Sequence, residues 1–208
     1  MKDGEIKNLI FDLGGVILDL SVPHTLQAFS TLSSLPLDEV KHKFITSPEF
    51  ESYEKGGISD VEFREFVREV YHVKATDAQI DLCWNAMLRG VPLIKTELLS
   101  RLMNSYRVFL LSNTNGIHLD FINNVILPRD VKTTSLDPFF HRTYYSHLMR
   151  MRKPDAEIYL AVLAENKLNA NETLFLDDNK YNIEGAAAVG IKTVHVTTPD
   201  LILDYFHE

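Results

Sequence analysis

The stretch Asn8-Leu9-Ile10-Phe11-Asp12-Leu13-Gly14-Gly15-Val16 constrains this chain more than any other. A short apolar run rich in strand formers ends in a carboxylate, and two glycines follow at once. So apolar a run reads as a strand covered on both faces, the condition of a parallel sheet. Its end would deliver Asp12 into a tight loop, where the glycines let backbone amides approach a ligand closely. Ligands of open α/β sheets bind beyond the carboxyl ends of the strands. An acidic residue that merely opens a surface turn has the same local signature. The rest of the chain decides between the two.

Beyond the glycines lies a long helical province. Residues 25–32, 37–44 and 48–53 repeat apolar side chains at three- and four-residue spacing, and Ser59 or Asp60 can cap a further helix that turns Val61, Phe63, Phe66, Val67 and Val70 inward. Thr76 opens another, with Ile80, Cys83, Trp84 and Met87 as its stripe. Such stripes are helix-packing faces and carry no chemistry of their own. From Pro92 the texture changes. Strands are expected at 107–111, 142–145, 173–177 and 192–196, alternating with helices at 92–106, 117–126, 154–166, 179–189 and 199–206. That alternation implies a doubly wound, Rossmann-like α/β fold with a parallel sheet. Residues 18–90 then form an insertion above the sheet's carboxyl edge, a helical cap over a core built from 1–17 and 91–208.

With 208 residues the chain can bury one core and a small second lobe. A formal net charge of −8 argues against nucleic acid or an anionic membrane as partner, but suits a small phosphorylated metabolite if cations are concentrated locally. The single cysteine, Cys83, excludes an intrachain disulfide and a cysteine-based zinc site. The start Met1-Lys2-Asp3-Gly4-Glu5 lacks an apolar segment, and no run reaches membrane-spanning length, so a cytoplasmic protein is expected. The eight histidines show no metal-ligand spacing, and oligomeric state has no signature in the pattern.

Four polar elements fall at strand ends or helix starts: Asp12, Ser112, Lys153 and the pair Asp177-Asp178. Together with Asp12-Leu13-Gly14, Leu111-Ser112-Asn113-Thr114-Asn115, Arg152-Lys153-Pro154 and Asp177-Asp178-Asn179, this order resembles the haloacid dehalogenase superfamily with a helical cap. The details look like its branch of α-D-glucose-1-phosphate phosphatases. The resemblance implies a sheet order of five–four–one–two–three and an Mg²⁺-dependent phosphatase working on a sugar phosphate through an aspartyl-phosphate. Asp12 would be the nucleophile. Mg²⁺ would be held by Asp12, Asp178, the Gly14 carbonyl and Asp177, the last directly or through water. Ser112, with the Asn113 and Thr114 amides, would hold the phosphate oxygens, while Lys153 neutralises phosphate and carboxylates. Asn182 would orient Asp177 or Lys153.

One position departs from the family pattern. Most phosphatases of the superfamily carry an acid/base aspartate two residues after the nucleophile, and here that residue is Gly14. General acid–base help is worth ~10²–10⁴ in rate. Either the leaving oxygen is activated, as an anomeric oxygen is, or the cap supplies the group. Glu54, in Tyr53-Glu54-Lys55-Gly56-Gly57, is the candidate, with Asp19 behind it and a solvent-exposed helix end as the alternative for Glu54. Two other functions stay open: a 2-haloacid dehalogenase using Asp12 on carbon, and a non-catalytic protein that binds a phosphometabolite.

Overall fold

The computed structural model describes residues 5–207; residues 1–4, which entered the expectation of no leader segment, lie outside them. The strands are β1 (Asn8–Phe11), β2 (Asp19–Leu20), β3 (Leu88–Gly90), β4 (Arg107–Ser112), β5 (Arg142–Tyr145), β6 (Thr173–Asp177) and β7 (Lys192–His195). The helices are α1 (Val22–Ser33), α2 (Leu37–Thr46), α3 (Pro48–Glu54), α4 (Asp60–Val70), α5 (Asp77–Asn85), α6 (Leu93–Leu102), α7 (Gly116–Phe121), α8 (Ala156–Asn166), α9 (Lys180–Ala188) and α10 (Leu201–Tyr205). A parallel sheet runs β5-β4-β1-β6-β7. Counting only the strands that join it, this is the expected order read from the opposite edge. β1 lies at its centre, with Phe11 in register with Leu110 on one side and Leu176 on the other.

Strand alternation divides the core into two layers. Leu9 and Phe11 of β1 join Val108, Leu110, Leu174 and Leu176 under α6 and the α7 segment. Ile10 faces the other way, with Phe109, Leu111 and Phe175, onto α8 and α9. Every residue of β1 is buried, as the apolar run demands.

Helices α1–α5 build a separate apolar cluster around Phe29, Phe50, Phe63 and Trp84. Stacked and edge-on rings dominate it, such as Tyr53 on Phe63 at 4.0 Å and Phe50 on Trp84 at 5.7 Å. Two of its helices start at capping boxes: Ser59, not Asp60, caps α4 with Glu62, and Thr76 caps α5 with Gln79. Val61, expected on the inner face of α4, is exposed because it lies on the helix's outer side. Cys83 is buried in this cluster. The chain enters and leaves it through the antiparallel ribbon β2–β3, which residue patterns did not announce because such short strands have no period to detect.

Several boundaries move. The helix expected over 117–126 begins at Gly116, passes into a π-helical stretch over Ile122–Ile126, and continues to Asp130. Pro154 does not open α8; a turn from Arg152 to Asp155 precedes it and the helix starts at Ala156. No helix among the described residues is long and apolar enough to cross a membrane.

Candidate active site

Three strands of the sheet run out at the same edge, and their last residues meet there. Asp12 follows β1, its amide donating to the Leu176 carbonyl at 2.9 Å, so its direction is fixed by the β6 ladder. The chain then turns tightly, with the Leu13 carbonyl accepting from Leu18 at 2.7 Å and the Gly15 amide donating to the Leu18 carbonyl at 2.8 Å. Gly15 holds φ +75°, and a Cβ there would lie 2.3 Å from Asp178 Oδ2. Glycine is required on both counts.

Lys153, fully buried, reaches the two carboxylates at once: Nζ lies 2.7 Å from Asp12 Oδ1 and 2.7 Å from Asp177 Oδ2. Burial works to lower its pKa, but Asp12 and Asp177 outweigh it and hold the ammonium above its ordinary range. Asp177 is saturated with donors. Besides Lys153 it accepts from the Asn179 amide at 2.8 Å and from Asn182 Nδ2 at 3.0 and 3.1 Å. Asn182 therefore orients Asp177, one of the two roles expected of it. Asp178 is exposed and its carboxylate is not spent in this way. Burial, followed by repulsion from Asp177, raises its pKa against the pull of Lys153.

One oxygen from each of Asp12, Asp177 and Asp178 lies within 4.8 Å of the others. Three carboxylates against a single ammonium leave two negative charges in a mostly buried spot. Burial raises Asp12 above the usual carboxylate range, Lys153 pulls it down, and Asp177 and Asp178 push it up again. An all-oxygen donor set with that surplus charge fits a hard divalent cation such as Mg²⁺. The saturation of Asp177 leaves Asp12 and Asp178 as the carboxylates with room for one.

Ser112 ends β4 and is 2 % exposed. Its hydroxyl makes only a long contact, 3.4 Å to the Asn113 carbonyl, and so is available to a ligand. The Asn113 side chain is not: Nδ2 donates to the Lys153 carbonyl at 2.9 Å, and Oδ1 accepts from the Lys153 amide at 3.0 Å. It clamps the lysine, leaving the Asn113 backbone amide as its contribution to the loop. The Thr114 amide, expected to face a ligand, instead donates to Ser146 Oγ at 2.9 Å, because β5 ends directly beside the β4 loop.

A cavity of about 170 Å³ lies above this edge, between Gly14, Ser112 and Asn113 below and Leu20, Glu54 and Trp84 above. The α5 stripe read as pure packing thus has a second use, since Trp84 and Met87 line the cavity. Glu54 is no fully exposed helix end: it is half-buried and Oε2 accepts from Arg152 Nη2 at 3.0 Å. Asp19 points elsewhere, to Lys95 Nζ at 3.0 Å. Arg152 and Ser146 were not singled out from the sequence. Their partners lie roughly a hundred residues away in the chain, and only the proximity of Arg152 to Lys153 hinted at either.

A parallel α/β sheet with a buried carboxylate–lysine cluster at its carboxyl edge and a helical lobe above defines a class of hydrolase fold. The family model described as haloacid dehalogenase-like hydrolase matches residues 112–196. A D-ribitol-5-phosphate phosphatase of Bacteroides thetaiotaomicron is 30% identical over 188 residues, 90% of each chain. A crystal structure of a family enzyme from the same organism, an aspartate-to-alanine variant with magnesium and inorganic phosphate, superposes with TM-score 0.84 at 36% identity, covering 91% of this chain and 93% of that one. A family hydrolase from Porphyromonas gingivalis superposes with TM-score 0.86 at 27% identity over 99% and 100% of the two chains. The chain belongs to the haloacid dehalogenase-like hydrolases.

Proposed function

We propose that this protein is an Mg²⁺-dependent phosphomonoesterase acting on a small phosphorylated metabolite, a sugar or polyol phosphate, through an aspartyl-phosphate. The observation that carries the reading is Asp12 held 2.7 Å from Lys153 at the central strand end, with Asp178 and Asp177 close by. The named activity of the Bacteroides relative supports the substrate class.

Phosphoryl transfer asks for an in-line nucleophile and neutralisation of the equatorial oxygens. Asp12 Oδ2, the oxygen away from Lys153, attacks phosphorus. Lys153 holds the other oxygen and lends its charge to the phosphate. The Ser112 hydroxyl and the Asn113 amide donate to phosphate oxygens. Asp12, Asp178 and the Gly14 carbonyl would hold Mg²⁺, while Asp177, occupied by donors, positions Lys153 and would act on the ion through water. When bound, Mg²⁺ supplies the positive charge that offsets repulsion between the phosphate dianion and the carboxylates. The helical residues 18–90 serve as the cap that excludes water from the transfer. Carbon–halogen cleavage needs no such cation and would leave the Asp177-Asp178 charge uncompensated.

The test is phosphate release from D-ribitol 5-phosphate, sugar 1-phosphates and sugar 6-phosphates, with Mg²⁺ or a chelator, for wild type and Asp12→Asn. Release that requires metal and falls to background in a folded variant is expected. Undiminished release by the variant would remove Asp12 from the nucleophile's role.

A further inference from the structure

Position 14 carries no side chain and so cannot supply an acid, and a Cβ there would press on Leu20 Cδ2 at 3.3 Å. The leaving oxygen of a phosphomonoester attacked by Asp12 must therefore find its proton elsewhere. Among the residues lining the cavity above the cluster, Glu54 is the one carboxylate and His118 the one imidazole. Both ring nitrogens of His118 are occupied. Nε2–H donates to the Trp84 carbonyl at 3.1 Å, and Nδ1 accepts from Asn115 at 3.2 Å. Lys153 is held between two carboxylates. Glu54 remains.

The turn that bears it is fixed against the core rather than adrift in the cap. The Glu54 carbonyl accepts from Ser146 Oγ at 2.6 Å, and Lys55 pairs with Asp155 at 2.9 Å. Gly56, at φ +67°, passes so close that a Cβ would lie 2.3 Å from the His147 carbonyl oxygen. Only Oε2 of the carboxylate is engaged, by Arg152. The cavity walls are mostly apolar, with Leu20, Phe44 and Trp84 on the cap side.

We propose that Glu54, delivered by the cap, is the general acid and base that stands in for the missing side chain at position 14. The assignment rests on the phosphatase reading. In the first step Asp12 Oδ2 bonds to phosphorus, the bond from phosphorus to the leaving oxygen breaks, and the Glu54 proton passes to that oxygen, releasing a neutral alcohol. In the second step water attacks phosphorus, its proton passes to Glu54, the bond to Asp12 breaks, and inorganic phosphate leaves with both carboxyl groups restored. Arg152 stabilises the Glu54 carboxylate between the two steps. Burial favours the protonated form beforehand and Arg152 opposes it, so the carboxyl sits above its ordinary pKa.

The test compares leaving groups. Wild type and Glu54→Gln are assayed with Mg²⁺ on p-nitrophenyl phosphate, whose phenolate departs without a proton, and on D-ribitol 5-phosphate and glycerol 3-phosphate, whose alkoxides cannot. The readout is kcat/KM, which reports the first transfer. The variant is expected to lose ~10²–10⁴-fold on the alkyl esters and less than about tenfold on the aryl ester, with Glu54→Asp intermediate. Equal losses on both kinds of ester, or none on the alkyl esters, overturn the Glu54 assignment alone. A wild type silent on every ester overturns the phosphatase reading, and this assignment with it. Matching melting temperatures for the variants separate chemistry from misfolding.

Discussion

A methyl group at position 15 would act twice, once on the backbone and once on the site. The left-handed φ of +75° is strained for any residue with a Cβ, and that Cβ would collide with the Asp178 carboxylate. Gly15→Ala should lower stability by about 1–2 kcal/mol and weaken Mg²⁺ binding by roughly 10–100-fold, the range for disturbed ligand positioning. Calorimetric titration with Mg²⁺ and a thermal melt check both halves. Lys153 gives the complementary case. Lys153→Met leaves Asp12 and Asp177 buried without their cation, a loss on the order of 3–5 kcal/mol. Mg²⁺ brings positive charge to the same carboxylates, so the drop in melting temperature should be larger in chelator than in saturating Mg²⁺. Asp12, Ser112 and Asp178 stood out in the sequence as polar residues at or just beyond the ends of apolar strands, whereas Lys153, in a loop before a proline, drew its role only from the family resemblance. The diversion of the Asn113 side chain to Lys153, and of the Thr114 amide to Ser146, could not be read there, since each depends on which loops abut.

Where α5 meets the start of α7, a polar joint crosses an otherwise apolar contact. Trp84 stacks on His118 at 4.7 Å and donates to Asn115 Oδ1 at 3.3 Å, while Asn115 caps α7 through the His118 amide at 3.0 Å. Burial keeps the His118 imidazole neutral, its pKa lowered to about 4 although the Trp84 carbonyl works the other way. An unfolded histidine takes up its proton near 6.5. Between those values the unfolded chain binds more protons, so this contribution is fully present above about pH 6.5 and is lost as pH falls toward 4, at up to about 1.4 kcal/mol per unit. Urea unfolding in chelator at pH 6.5 and pH 5 should show wild type losing about 1.5 kcal/mol more than His118→Asn. Identical pH dependence would remove His118 from that role. β1, β4 and β6 were legible as elements because they are short apolar runs, whereas β5 and β7 are more polar and carry a weaker signal. The β2–β3 ribbon and the π-helical stretch were not legible, since neither carries a period, and Trp84 shows a packing stripe serving a cavity as well.

The helical cluster of α1–α5 sits beside the two core layers and is tied to them by specific polar contacts. The chain enters and leaves the helical cluster through the β2–β3 ribbon, beside the ion pair of buried Lys95 with half-exposed Asp19. The order of elements along the chain made this insertion legible. The latches that hold it down were not, because they join residues such as 53 with 117 and 54 with 146. Tyr53 is the most telling of them. Its hydroxyl donates to Asp60 Oδ1 at 2.6 Å and accepts from the Ile117 amide at 3.2 Å, tying α3 and α4 to the first turn of α7. The cavity of about 170 Å³ lies between the lobes, and the parting of such lobes gates release in many enzymes. Tyr53→Phe keeps the ring stacked on Phe63 but leaves the Ile117 amide without its acceptor, which costs the closed form about 1–2 kcal/mol. The Asp60 bond lies within the helical lobe and is lost in both forms, so the Ile117 bond alone separates them and opening becomes easier by that amount, a factor of about 5–30. Stopped-flow dissociation of inorganic phosphate in Mg²⁺ should quicken by that factor, with the association rate changed far less. Turnover rises as well if product release limits it. An unchanged dissociation rate would mean that the Tyr53 latch does not hold the lobes together, and that the weight rests on Arg152 and the Ser146–Glu54 contact instead.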